Sequence, residues 1–120
     1  FRNDGGKFVD VSAVSNACPP AFRGRSAAAL DFNGDGLLDI LLGESIQYGS
    51  GKRSRLLLNL GGLKFEDATE KVGLPNVPGL GAAAGDVNND TWPDLLLVAS
   101  EGGNRLFLNE KGQKVREAEE

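Results

Sequence analysis

Short apolar runs, separated by Gly-, Asn- and Asp-rich punctuation, set the pattern of this chain. Asp39–Leu42 and Arg55–Asn59 are brief continuous aliphatic stretches, as expected of strands buried on both faces. Ser26–Leu30 is small and apolar, which predicts a strand packed closely near an axis. Leu60-Gly61-Gly62 supplies a tight turn, and Lys64–Asp67 then alternates polar and apolar like an outer strand. The same order returns at Gly81–Gly85, Asp94–Ala99, Asn104–Asn109 and Lys114–Glu117. Helical periodicity is absent, and Ala68–Leu74 has room for one turn of helix before Gly73 and Pro75 stop it.

The chain repeats itself. Ala28–Leu42, with Asp31-Phe32-Asn33-Gly34-Asp35-Gly36-Leu37-Leu38-Asp39 at its centre, recurs 55 positions later as Ala83–Leu97. A second motif, Asn3 to Ser12, returns at Asn59–Thr69 and more loosely at Asn109–Ala118. The two motifs alternate, so one unit is about 50–57 residues long. Four short antiparallel strands in such a unit predict an all-β fold of β-propeller blades. The expected organisation is an outer hairpin of a preceding blade over 1–12, a linker over 13–25 and a blade over 26–69. A second linker follows over 70–79, then a second blade over 80–120. Closure takes roughly 4–8 blades, so the chain reads as part of a larger propeller, and its true N-terminus is expected to lie upstream of Phe1.

Composition narrows the chemistry. Seventeen glycines, 40% hydrophobic and 7% aromatic residues suit a globular β-protein. A net charge of −4 argues against nucleic acid as a partner. The basic cluster Lys52, Arg53 and Arg55 reads as a solvated loop beside a strand. No apolar run reaches the ~20 residues that span a bilayer, so no membrane insertion is expected in this segment. Without histidine there is neither an imidazole base nor a His-ligated zinc site, and Cys18 has no partner within the chain. Cys18 is expected to be a packed or idle thiol, unless it pairs with a part of the protein outside this sequence.

The repeated acidic loops carry the clearest chemistry. In the first, Asp31, Asn33, Asp35 and Asp39 stand at positions 1, 3, 5 and 9, with the Leu37 carbonyl available at position 7. The second offers Asp86, Asn88, Asp90 and Asp94, with the Trp92 carbonyl at position 7. Alternate oxygen side chains on a curled loop converge on one point and suit Ca2+, which takes six to eight oxygens at about 2.3–2.6 Å. Magnesium fits less well, because it prefers a rigid octahedral shell. Gly34 and Gly36 permit the positive φ that the curl demands. Thr91 replaces the glycine at position 6, so the second site is expected to be weaker or differently shaped. Asx-rich turns without metal are the bland alternative, yet two loops with matching ligands at matching repeat positions favour calcium. An EF-hand is excluded, because position 12 is Leu42 or Leu97 rather than an acid. Trp92 is expected to pack its ring on neighbouring strands rather than to stack on a ligand.

Asp31 to Ile40 and Asp86 to Leu95 resemble the calcium loops of FG-GAP/VCBS repeats, as in integrin α-subunit propellers. The interleaved Leu57-Leu58-Asn59…Lys64-Phe65-Glu66-Asp67-Ala68-Thr69 and Arg105-Leu106-Phe107-Leu108-Asn109 are similar to the cartilage acidic protein and UnbV-like branch. Gly24-Arg25-Ser26-Ala27 and Gly79-Leu80-Gly81-Ala82 stand where related chains carry a Gly-Arg-Gly-x-Ala stretch. The resemblance implies a seven-bladed, extracellular, calcium-stabilised propeller acting in adhesion or recognition, with the loop residues above as ligands.

The leading functional expectation is a non-enzymatic binding, adhesion or scaffold module, secreted or at the cell surface, with the periplasm as the alternative compartment. Its partner would be a protein or a carbohydrate. A surface-layer or filament subunit using the long Glu44–Ser54 loop is one rival. The propeller part of a secreted enzyme is another, with Glu44, Gln47, Tyr48 and Glu101 as the non-repeated polar candidates. Asp10, Asp67 and Glu117 recur at equivalent places and are expected to serve each outer strand structurally.

Overall fold

The computed structural model describes residues 1–44, 51, 53–99 and 102–119. Gln47, Tyr48, Lys52 and Glu101, together with most of the Glu44–Ser54 loop, lie outside the described residues. The chain opens with a hairpin of β1 (Arg2–Asp4) and β2 (Lys7–Val9), followed by a helical turn, α1 (Ser12–Ser15). Two four-stranded antiparallel sheets of the propeller-blade type follow, each a simple meander. The first contains β3 (Gly24–Leu30), β4 (Asp39–Glu44), β5 (Ser54–Asn59) and β6 (Phe65–Asp67) in that order. The second contains β7 (Gly81–Gly85), β8 (Asp94–Val98), β9 (Arg105–Glu110) and β10 (Lys114–Glu117).

The strands match the sequence expectation to within a residue or two at their ends. The continuous aliphatic runs are the buried strands: five of the six residues of β5 are buried. One difference is at the start of the first blade. β3 begins at Gly24 instead of Ser26, because Gly24 pairs with Glu44 across a bulge and the Arg23 amide donates to Glu44 Oε1 at 2.6 Å. Glu44 is therefore a fully buried strand residue and not a loop acid.

The helical turn expected over Ala68–Leu74 is a single hydrogen-bonded turn. The Val72 amide reaches the Ala68 carbonyl at 2.9 Å, and the Leu74 amide reaches Thr69 at 3.0 Å. That longer bond closes over Gly73 in the left-handed region (φ +75°), as at a helix C-terminus. The one helical element among the described residues lies instead at Ser12–Ser15, ended by Asn16 at φ +60°.

One hydrophobic core serves both blades. Leu30, Phe32, Leu41 and Leu56 from the first blade meet Leu95, Leu97 and Phe107 from the second, and Val72, Leu74 and Val77 of the connecting segment complete it. The innermost strands β3 and β7 lie side by side. Their small residues permit this approach, and the blades come closest beside it, where Gly43 of β4 meets Gly79 just before β7. A Cβ on Gly43 would lie 2.2 Å from the Gly79 carbonyl oxygen. The Ser26 hydroxyl donates to that carbonyl at 3.0 Å, and the Gly79 amide donates to the Glu44 carbonyl at 3.2 Å.

Among the described residues no helix is long and apolar enough to cross a membrane. The basic cluster resolves differently from its expectation. Arg55 is buried in β5, with its guanidinium 3.4 Å from Asp67 on β6. Arg105 on β9 makes the equivalent pair with Glu117 on β10, so the recurring acids brace the outer strands. Asp10 accepts the Ser12 amide at 2.9 Å. Cys18 is an exposed free thiol.

Candidate metal-binding loops

Each acidic loop connects the first two strands of its blade: 31–38 joins β3 to β4, and 86–93 joins β7 to β8. The chain reverses within a few residues, and the loop's own side chains hold the curl. In the first loop, Asp31 Oδ1 accepts the Asp35 amide at 3.1 Å and Oδ2 accepts the Gly36 amide at 2.9 Å. Asn33 Oδ1 accepts the Asp35 amide at 3.2 Å, and the Asn33 Nδ2 donates to Asp35 Oδ2 at 3.0 Å. Asp35 Oδ1 accepts the Leu37 amide at 2.8 Å. Side chains at positions 1, 3 and 5 thus turn inward over the same short stretch of backbone.

The second loop repeats this scheme bond for bond. Asp86 accepts the Asp90 and Thr91 amides at 3.1 and 2.8 Å. Asn88 Oδ1 accepts the Asp90 amide at 3.1 Å and its Nδ2 donates to Asp90 Oδ2 at 3.0 Å. Asp90 Oδ1 accepts the Trp92 amide at 2.9 Å. The expectation of a different shape at Thr91 does not hold. Thr91 takes φ +77° where Gly36 takes +84°, and Asn89 takes +64° where Gly34 takes +72°. The curl is kept, and a β-branched residue bears a left-handed backbone costing about 1–2 kcal/mol.

Asp39 and Asp94 close each loop from the first residue of the next strand. Both are buried, at 0% and 1% exposure. Asp39 Oδ2 accepts the Phe32 amide at 2.8 Å and Oδ1 accepts the Asn59 amide at 2.7 Å. Asp94 does the same with Val87 at 3.0 Å and Asn109 at 2.8 Å. A second task of the position-9 acid, tying its loop to the third strand of the blade, was not anticipated from spacing. Burial pushes the Asp39 carboxyl above the usual range, opposed by the amides of Asn59 and Phe32 and reinforced by the negative charges of Asp35 and Asp31.

Among the described residues, no three His, Cys, Asp or Glu side chains converge closely enough to form a metal cage by themselves. The donor chemistry fits a hard cation all the same. Asp31, Asn33, Asp35 and Asp39 offer only oxygen ligands, as do Asp86, Asn88, Asp90 and Asp94. Each carboxylate oxygen that accepts one amide keeps a second lone pair for a metal. Burial is the main cause that raises Asp39; the smaller one, the negative charge of Asp35 and Asp31, is what a bound cation would relieve. Leu37 and Trp92, expected to contribute carbonyls, donate their amides within the curl.

Trp92 packs its ring against the other loop and not on the neighbouring strands expected for it. A Cβ on Gly34 would lie 3.1 Å from its ring, so the indole covers the tip of the first loop. Ala29, Leu30, Asp31 and Gly34 face Ala84, Thr91, Trp92 and Pro93 across the cleft between the two loops.

The sequence also matches known proteins. Residues 23–52, which hold the first loop, match the FG-GAP repeat family. The chain is 36% identical over 114 residues to cartilage acidic protein 1 of Xenopus tropicalis, an alignment covering 89% of this chain and 17% of that protein. Identity to the mouse protein of the same name is 33%, and to the human one 32%, with the same coverage. The chain therefore spans about 17% of the length of the curated relatives it matches. No solved structure matches it significantly.

Proposed function

We propose that this chain, a member of the FG-GAP repeat family, is a calcium-stabilised segment of an extracellular β-propeller that serves as a binding or adhesion scaffold and not as an enzyme. The observation that carries this reading is the identity of the two loops. Eight side chains at repeat-equivalent positions make the same hydrogen bonds, including the buried Asp39 and Asp94. Turn propensity alone selects Asx residues singly; it does not select the same four oxygens twice in one arrangement. Bound Ca2+ would neutralise the clustered charge and tie the first two strands of each blade together. Extracellular modules of this kind need only about 10⁻⁴–10⁻³ M affinity. The similarity to a protein named for cartilage, an extracellular matrix, supports placement outside the cell.

Catalysis has less support. Glu44, the one non-repeated candidate acid among the described residues, is fully buried at a strand end. The acids that recur are engaged as loop or outer-strand braces. The test is thermal unfolding with calcium and with excess EDTA. A structural metal raises the melting temperature in calcium, and an unchanged midpoint refutes it.

A further inference from the structure

The two loops have the same internal bonds but different surroundings. Phe32 in the first loop is fully buried, while Val87 at the same position of the second is 61% exposed. The outer part of the second blade reaches the backbone of the first loop. Asn109 on β9 is 2% exposed, and its Nδ2 donates to the Phe32 carbonyl, 77 residues away, at 2.9 Å. The same amide donates to Pro93 O at 3.1 Å, and Oδ1 accepts the Gly112 amide at 2.8 Å. Gly112 presses directly on the first loop: a Cβ there would lie 2.7 Å from Asn33 Cα and 2.9 Å from the Trp92 ring. The Trp92 ring in turn covers Gly34.

Within this chain the same parts of the first blade make contacts only in their own blade. Asn59 donates to Leu38 O at 3.0 Å and accepts the Gly61 amide at 2.9 Å, both within its own blade. A Cβ on Gly62 would meet nothing within 4 Å.

We infer that Asn109, Trp92 and Gly112 form an inter-blade clasp that positions the first loop for its cation, so that metal affinity at 31–39 depends on docking of the second blade. The inference rests on the calcium reading above. The mechanism is preorganisation. Phe32 and Asn33 lie between Asp31 and Asp35, and fixing their backbone lowers the ordering cost of bringing those oxygens to one point. These are positioning residues, not ligands.

The experiment is calorimetric titration of the full chain with CaCl2, in an Asp86→Asn background that isolates the first loop. Asn109→Ala and, as a second variant, Gly112→Ala are compared with Gly62→Ala. The two glycines share positive φ, +71° and +58°, so the alanines share backbone strain and differ in the contact with Asn33. The clasp predicts about tenfold weaker calcium binding for Asn109→Ala and Gly112→Ala, and a change within about twofold for Gly62→Ala. Melting in EDTA and in calcium separates positioning from plain stability. The clasp variants lose part of the calcium-dependent rise in midpoint, whereas a purely structural bond lowers both midpoints equally. Wild-type affinity in both clasp variants overturns the clasp alone. No calcium uptake by the unsubstituted chain overturns the calcium reading, and the clasp with it.

Discussion

The carboxylate of Asp39 accepts the backbone amide of Asn59 at 2.7 Å, joining the acidic loop of the first blade to the third strand of the same blade. Its other oxygen holds the Phe32 amide at 2.8 Å. Both bonds are charge-assisted, the one to Phe32 buried and the one to Asn59 partly buried. Asp39→Ala would strand two amides in the core and is expected to cost about 3 kcal/mol even in EDTA. Urea unfolding of the metal-free protein measures this. A loss below about 0.5 kcal/mol would show that Asp39 acts only through a metal.

Thr91 holds a left-handed backbone that glycine holds at the equivalent Gly36. Thr91→Gly is expected to stabilise the chain by about 0.5–1 kcal/mol, the relieved strain less the added flexibility of the unfolded chain. The reverse change, Gly36→Thr, is expected to destabilise by about 1–2 kcal/mol. Denaturant midpoints of the two variants should move in opposite directions.

Gly43 on β4 and Gly79, in the segment just before β7, bring the two blades to backbone contact. Gly43→Ala forces its methyl onto the Gly79 carbonyl and displaces the Ser26 hydroxyl, at an expected cost of about 3 kcal/mol. Gly85→Ala provides the comparison, because a Cβ there meets nothing within 4 Å. It should leave stability within about 0.5 kcal/mol of the parent. Thermal melts of the pair check the close approach directly.

The Arg105–Glu117 pair on the outer edge of the second blade predicts a pH effect. The hydrogen bond from Arg105 holds the Glu117 carboxyl below the usual glutamate range. Its folded-state pKa is depressed, so the stabilisation is present above the unfolded value and is lost as pH falls through the folded one. Glu117→Gln should therefore lower the melting temperature slightly at neutral pH, and the gap from the parent should close in acid. High salt should shrink it too, because the pair is exposed.

How much of this was legible in the sequence follows from the range of each interaction. The strands and both acidic loops were legible because aliphatic runs, alternation and Asx-Gly spacing are local signals, and the repeat displayed them twice. The inner strands were read as small and close-packed, but no spacing rule pairs Gly43 with Gly79 or Asn109 with Phe32. Those contacts exist only once two blades dock. Asn59 and Asn109 did recur in register, a signal that each has a fixed task, but the task depends on which backbone lies opposite. Arg55 looked like part of a solvated cluster because a strand's burial depends on its neighbours, here β4, β6 and the segment at Thr69. The sequence predicts a weaker or differently shaped loop at Thr91. The intact hydrogen-bond scheme shows that the curl outweighs the preference of one β-branched residue.

The proposed role of the loops as calcium sites is tested most directly by crystals grown in CaCl2 and examined for anomalous scattering. Two peaks are predicted, one in each loop. The first should lie about 2.3–2.6 Å from oxygens of Asp31, Asn33, Asp35 and Asp39, and the second at the same range from Asp86, Asn88, Asp90 and Asp94. Empty loops in saturating calcium, or peaks only at other surface acids, would contradict it.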